Sequence, residues 1–226
     1  GGYFTTEYGA GFDDPNVLWE ENRGIGMSFG FNREESFDDY NTAEHLILML
    51  VDTVSRGGNL LLDVGPTRDG RIPVIMEERL AEIGKWLDVN GEAIYGSRRW
   101  VKDAQWSAGA MPEFTKEDHH TGSALTESTI DPKPGNASRE ALFTRRGNTL
   151  FALTPGWPVG GTFIIRDVMP SDTSEVSLLG SQKTLVWKRV DNTIEIDLTT
   201  LGIHDLPCDH VFTFKLTDIK PHSTEE

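Results

Sequence analysis

The stretch Val54-Ser-Arg-Gly-Gly-Asn-Leu-Leu-Leu-Asp-Val-Gly-Pro-Thr-Arg-Asp-Gly-Arg-Ile-Pro73 decides the fold. Its centre, Leu60-Leu61-Leu62, is a short unbroken apolar run, the pattern of a parallel strand covered on both faces rather than a half-wet, alternating one. Gly65-Pro66 stops that strand and Asp69-Gly70 makes a turn. Pro73 then fits the first turn of a helix, where its missing amide costs nothing. That helix carries Met76, Leu80, Ile83 and Leu87 on one face and closes at Asn90-Gly91. On the other side of the run, Leu46, Ile47, Leu50, Val51 and Val54 repeat at helical spacing over residues 41–55, with Asn41 or Thr42 as the cap. Leu48 and Met49 widen the apolar face, so this helix is expected to be buried on more than one side. Gly57 and Gly58 supply the left-handed turn that ends it. The order is helix, buried strand, helix.

Upstream, residues 2–8 and 25–32 read as two further strands. Three strands alternating with helices imply an α/β architecture, with functional groups at the carboxyl ends of the strands. Downstream the pattern changes. Residues 140–153 form a hairpin turning at Gly147-Asn148, and short strands follow at 162–165, 175–179, 184–190, 193–198 and 211–216, with Asp191-Asn192 as a turn between two of them. Residues 101–137 are rich in Gly, Pro, Ser and charge, so loops are expected there and the domain boundary falls near its start. The chain thus divides into residues 1–100 and 101–226, with no internal repeat.

Thirty-six acids against 21 bases in 226 residues give a net charge of −15. This disfavours nucleic acid and anionic membrane surfaces as partners. The longest apolar run, from Leu46 to Val51, is far too short to span a bilayer, and no charged segment precedes an apolar signal core. A water-soluble chain is expected, compatible with secretion or a periplasmic location. Cys208 alone cannot make an internal disulfide. Asn136-Ala-Ser138 fits a glycosylation acceptor in a eukaryotic secretory host. Gly24-x-Gly26-x-x-x-Gly30 is a poor dinucleotide fingerprint, with one residue too many before its last glycine. His45 reads as a packed or surface histidine, and the adjacent pair His119-His120 points apart without two further spaced ligands. No metal or cofactor is expected.

Several separated motifs, in order, carry a resemblance. Trp19-Glu20, G-I-G-M-S-F-G-F-N from Gly24, G-G-N-L-L-L-D-V-G-P from Gly57 and W-L-D-V-N-G-E-A-I-Y from Trp86 resemble the last third of the catalytic barrel in the alpha-L-fucosidases of glycoside hydrolase family 29. E-A-L-F-T-R-R-G-N-T-L-F-A-L from Glu140 is similar to the opening of that family's carboxyl-terminal β-sandwich. The fold implied is α/β plus all-β: the last three or so strands of a (β/α) barrel followed by an antiparallel β-sandwich.

The resemblance also implies an activity, the release of terminal alpha-L-fucose from a fucosylated oligosaccharide or other glycoside. Retaining glycosidases place two carboxyl groups about 5–5.5 Å apart, one attacking the anomeric carbon and the other protonating the leaving oxygen. The general acid/base of the family lies in a segment resembling Y-F-T-T-E-Y, which places it at Glu7. An acid in that role works best partly buried beside aromatic groups, and Tyr3, Phe4 and Tyr8 flank it. Phe29 matches the aromatic that stacks on the apolar face of fucose. Tyr8 and Trp19 join it as substrate-contacting candidates, although Trp19 and Glu20 read chiefly as structural.

The departure from the family is larger than any match. A whole barrel takes about 250 residues, and only about a hundred precede the sandwich here. No position matches the family's nucleophilic aspartate, nor the histidines and tryptophans that grip fucose. Asp63, at the end of a barrel strand, is the first local substitute, with Asp13 and Asp14 next; each also has a plain structural reading, as a hydrogen-bonding strand end or a solvated turn. A three-strand parallel fragment leaves apolar surface and backbone groups uncovered, so a homo-oligomer in which half-barrels bury one another is expected. The competing reading is a sugar-binding or structural remnant without chemistry.

Overall fold

The computed structural model describes residues 2–9, 11, 12, 14 and 16–221. Strands β1 (Phe4–Glu7), β2 (Trp19–Gly24) and β3 (Asn59–Asp63) form a parallel sheet in that order. Helix α1 (Ala43–Ser55) crosses from β2 to β3, and α2 (Val74–Asn90) follows β3. Thr42 caps α1, its side chain accepting from the His45 amide at 3.1 Å. In register, Glu7 pairs with Asn22, Asn22 with Leu61, and Gly24 with Asp63. Paired residues on parallel strands project the same way, so Glu7, Asn22, Leu61 and Asp63 share one face, the inner wall of the barrel fragment. Trp19, Glu21 and Arg23 share the opposite, buried face, together with Leu60 and Leu62.

Three expectations need correction here. Leu61 is 50% exposed, so the apolar run is covered on one face only, because among the described residues nothing closes the inner wall. The second strand lies at Trp19–Gly24 rather than at 25–32, where glycines 24, 26 and 30 set a succession of bends and the Ile25 carbonyl accepts from Asn41 instead of a strand partner. Residues 101–106 are not loop, since β4 (Arg98–Trp106) is a strand of the sandwich. Its register with the next strand slips between Arg99 and Ala104, a bulge that erases the period-2 alternation a sequence reader looks for.

Beyond β4, a short helix α3 (Lys116–Thr121) runs through helical turns at Ser123–Leu125 and Thr126–Ile130 to the sandwich proper. β5 (Arg139–Arg146) and β6 (Thr149–Pro155) form the hairpin around Gly147-Asn148. They are followed by β7 (Thr162–Arg166), β8 (Val168–Pro170), β9 (Val176–Leu178), β10 (Val186–Val190), β11 (Thr193–Asp197), β12 (Val211–Leu216) and β13 (Ile219–Pro221). Sheets β4-β5-β6-β12-β9 and β10-β11-β7 enclose a core that includes Phe143, Leu150, Phe163, Ile165, Ile196 and Phe214, and β8 pairs with β13.

Helix α1 joins the two halves. Leu46 and Met49 pack towards β3 and α2, whereas Ile47, Leu48 and Val51 pack on Leu142, Phe151, Leu153 and Val211 of the sandwich. Two polar ties reinforce this seam. Trp86 Nε1 donates to the Val211 carbonyl at 2.8 Å, and Asp52 on α1 pairs with Arg56 and with Arg139 on β5. Burial would push the Asp52 carboxyl up, but the two guanidinium groups outweigh it and hold the group low.

Because one helix serves both cores, loss of packing on its sandwich face should destabilise the whole chain. Ile47→Ala is expected to cost about 2–5 kcal/mol, read as a lower urea midpoint by circular dichroism. Glu44→Ala on the partly exposed side of the same helix should stay within about 0.5 kcal/mol of the parent.

Candidate active site

At the carboxyl end of β1 the chain turns sharply. Tyr8 takes φ 49°, a left-handed conformation that a bulky residue adopts only when its surroundings hold it there. Four contacts do so. The Tyr8 hydroxyl accepts from the Gly24 amide at 3.1 Å. Its ring meets Phe29 edge-on at 5.2 Å and His120 at 5.2 Å. The Arg23 guanidinium lies 4.9 Å from the ring centroid. Gly24 is required at this approach, since a Cβ there would lie 2.5 Å from the Ser28 carbonyl oxygen and 2.9 Å from the Tyr8 hydroxyl.

Arg23 organises the ground beneath. Its Nε donates to Glu21 Oε1 at 2.7 Å, Nη1 to the His120 carbonyl at 3.2 Å, and Nη2 to the carbonyls of His119 at 3.0 Å and Gly9 at 3.2 Å. Glu21, only 3% exposed, also accepts from the Gly9 amide at 3.0 Å and from the Thr6 hydroxyl. β2 thereby fixes both the residues after Glu7 and the end of α3. A small cavity of about 70 Å3 sits behind this pair, bounded also by His45, Asp52, Arg56 and Arg139.

Glu7 itself projects from the last position of β1 into an open groove of about 470 Å3, lined by Tyr8, Gly9, Lys116, Glu117, His119 and His120. It is exposed, as are Tyr3 at 62% and Phe4 at 58%. The partial burial expected around Glu7 is therefore not supplied by those two rings. Phe29 is 36% exposed at a bend rather than a strand end, edge-on to the Tyr8 ring.

The remaining candidates scatter. Trp19 is 1% exposed, enclosed on the outer face against Phe12, Arg56 and Gly58, where a Cβ would stand 2.5 Å from its ring. It offers no surface to a sugar, and its role is packing. Asp14 accepts from the amide and side chain of Asn16 at 2.9 and 3.2 Å. That turn leads to Leu18, whose carbonyl accepts from Phe4 at the start of β1, the opposite end of the sheet from Glu7. Asp13 lies outside the described residues. Asp63 does share the inner wall with Glu7, but it stands two strands across and two residues further along. At normal strand spacings the two α-carbons are roughly 10 Å apart or more, a gap that the two side chains, leaving the same wall, have to close between them.

Sequence reasoning missed Glu21, Arg23 and the α3 contribution. A buried ion pair at alternate positions of Trp-Glu-Glu-Asn-Arg-Gly was the available signal, masked because its inward residues are charged. Among the described residues no group of three His, Cys, Asp or Glu is placed to hold a metal ion, and no helix is long and apolar enough to cross a membrane.

A parallel β/α sheet that presents a carboxylate and aromatic rings at its strand ends, backed by an antiparallel sandwich, is the build of a barrel glycosidase with an appended sandwich domain. Comparison with known proteins agrees. The alpha-L-fucosidase family model matches residues 1–92, and the model of the alpha-L-fucosidase C-terminal domain matches residues 136–217. Plasma alpha-L-fucosidase of Rattus norvegicus is 34% identical over 224 residues, 97% of this chain and 42% of that protein. Tissue alpha-L-fucosidase of Homo sapiens is 31% identical over 208 residues, covering 91% and 38%. The solved Thermotoga maritima alpha-fucosidase in complex with a mechanism-based inhibitor superposes with a TM-score of 0.66 at 32% identity, covering 94% of this chain and 42% of that one. The chain belongs to the alpha-L-fucosidases of glycoside hydrolase family 29, and it spans about two fifths of the length of these relatives.

The packed histidines behind the site give it a pH dependence. Burial, and then the charge of Arg23, push His45 down to about 4 from 6.5, and burial lowers His119 in the same direction. Such groups stay neutral in the fold, while the unfolded chain takes up protons below about pH 6.5. Stability is therefore full above that value and declines as pH falls towards 4. The loss from His45 is expected on the order of 2 kcal/mol. A His45→Gln variant should show a flatter fall in thermal midpoint between pH 6.5 and 4.5 than the parent.

Proposed function

We propose that the chain acts on alpha-L-fucosides with Glu7 as general acid/base. The observation that supports this best is the position of Glu7, on the inner wall at the carboxyl end of β1, beside the braced Tyr8–Phe29 pair. Glu7 donates its proton to the glycosidic oxygen as the bond from that oxygen to the anomeric carbon breaks. A second carboxylate attacks the anomeric carbon or activates water from the other side of the sugar ring. Phe29 packs on the apolar face of the fucose, and Tyr8 holds the Phe29 ring in place. Where the carboxylate attacks, a glycosyl ester forms, and in the second half water attacks the anomeric carbon as that ester bond breaks and gives its proton to Glu7.

Asp63, two strands across on the same inner wall, is the candidate for that second carboxylate within one chain, and a carboxylate of another copy docked on the inner wall, in a homo-oligomer, is the candidate between chains. The exposed Leu61 on the inner wall marks the surface such a copy would cover. A second reading, a saccharide-binding module without turnover, is favoured by the exposure of Glu7 in an open groove.

Turnover decides between them. Glu7→Gln is expected to lower kcat roughly 10²- to 10⁴-fold on fucosides with poor leaving groups. The loss should be much smaller on 4-nitrophenyl alpha-L-fucoside, whose leaving group needs little protonation. Activity should elute with an oligomer in size exclusion coupled to light scattering. A sharp monomer mass at micromolar concentration that retains activity would remove the composite site, and no turnover in the parent would leave the binding module.

A further inference from the structure

Residues 93–135 lie between the two regions matched by the family models, yet they build one wall of the Glu7 groove. α3 supplies Lys116, Glu117 and His120 there, all exposed. Its placement is built in rather than incidental. At its start, Thr115 and Asp118 cap each other, the Thr115 amide donating to the Asp118 carboxylate at 2.7 Å. At its end, Arg23 of the barrel sheet binds the carbonyls of His119 and His120. His119 turns inward to the small buried cavity, while the His120 ring stacks at 5.2 Å beside Tyr8 and stays open to solvent.

Phe29, where the fucose ring is assigned, and His120 both pack against the Tyr8 ring, each at 5.2 Å between centroids. Glu7 protonates the oxygen between fucose and its leaving group, and the groove that Glu7 shares with α3 is lined by His120 and not by Phe29, so it is there that the leaving group rests. We propose that α3 forms this leaving-group subsite, with the His120 ring as a platform for the first sugar of a neutral saccharide. Lys116 and Glu117 supply one donor and one acceptor for its hydroxyls. One positive and one negative side chain give the wall no net charge, which suits an uncharged sugar rather than a phosphate or an acidic peptide. The groove, at about 470 Å3, falls within the usual range of about 300–1,000 Å3 for small-molecule sites. The assignment rests on the reading of Glu7 as the general acid.

The test compares kcat/KM for a fucosyl-lactose with that for 4-nitrophenyl alpha-L-fucoside in the parent and in His120→Ala. The ratio of the two is expected to fall roughly five- to ten-fold in the variant, through KM of the saccharide. Lys116→Ala, at an exposed position, should move the ratio the same way by roughly two- to five-fold, and it serves if His120→Ala does not fold. Retained turnover with an unchanged ratio in both variants overturns the subsite and leaves the role of Glu7 standing. If the parent turns over neither substrate, the role of Glu7 fails, and titration with lactose decides α3 alone. Saturable shifts of the His120 ring resonances would support the subsite as a binding site, and their absence would overturn it.

Discussion

The Arg23 guanidinium is the constraint on which the site depends. It lies on the buried face of the barrel sheet and spends its donors on Glu21 and on carbonyls from two segments far apart in sequence. Burying an ion pair is not a cheap way to gain stability, because desolvation offsets most of the attraction. Its effect here is geometric. Gly9 follows Glu7 and Tyr8, and His119 and His120 end α3, so a single planar group fixes the distance between the proposed acid and the wall opposite. Removing either partner would strand a charge in the interior, which typically costs about 3–5 kcal/mol.

The elements legible in the sequence were those whose buried side chains are apolar and regularly spaced. Helix α1, strand β3, helix α2 and the hairpins at Gly147-Asn148 and Asp191-Asn192 all fall in that class. β2 escaped because its buried outer face carries Glu21 and Arg23, so a pattern search sees a polar loop where the chain has buried charge. β4 escaped because a bulge breaks its alternation. α3 is six residues long, shorter than any stretch in which helical periodicity can be counted. Its approach to Glu7 is a tertiary fact with no local signature, whereas Glu7 and Phe29 are candidates by motif likeness and Asp63 by its strand end.

The double duty of α1 explains how so small a barrel fragment holds together. A lone three-stranded parallel sheet with two helices has too little interior to be stable by itself. Here the sandwich supplies the missing cover from behind, through Leu142, Phe151, Leu153 and Val211 on one side of α1. The outer face of β2 is covered by α3 and the helical turns after it, clamped by Arg23. Both solutions protect the outside of the sheet and leave the inner wall open.

That asymmetry bears on mechanism. General acid catalysis is most effective where water is excluded and the reacting groups are held in a low-dielectric setting. The inner wall carries Glu7 exposed and Leu61 half exposed, so a bound sugar would be covered on the α3 side and bare on the other. A second surface laid on the inner wall would do three things together: pair the free edges of β1 and β3 or shield them, remove Leu61 from water, and bring a carboxylate to the far face of the sugar. The first two are demands of stability and the third is a demand of chemistry. One contact that met all three would tie the cover of the inner wall to the completion of the proposed site.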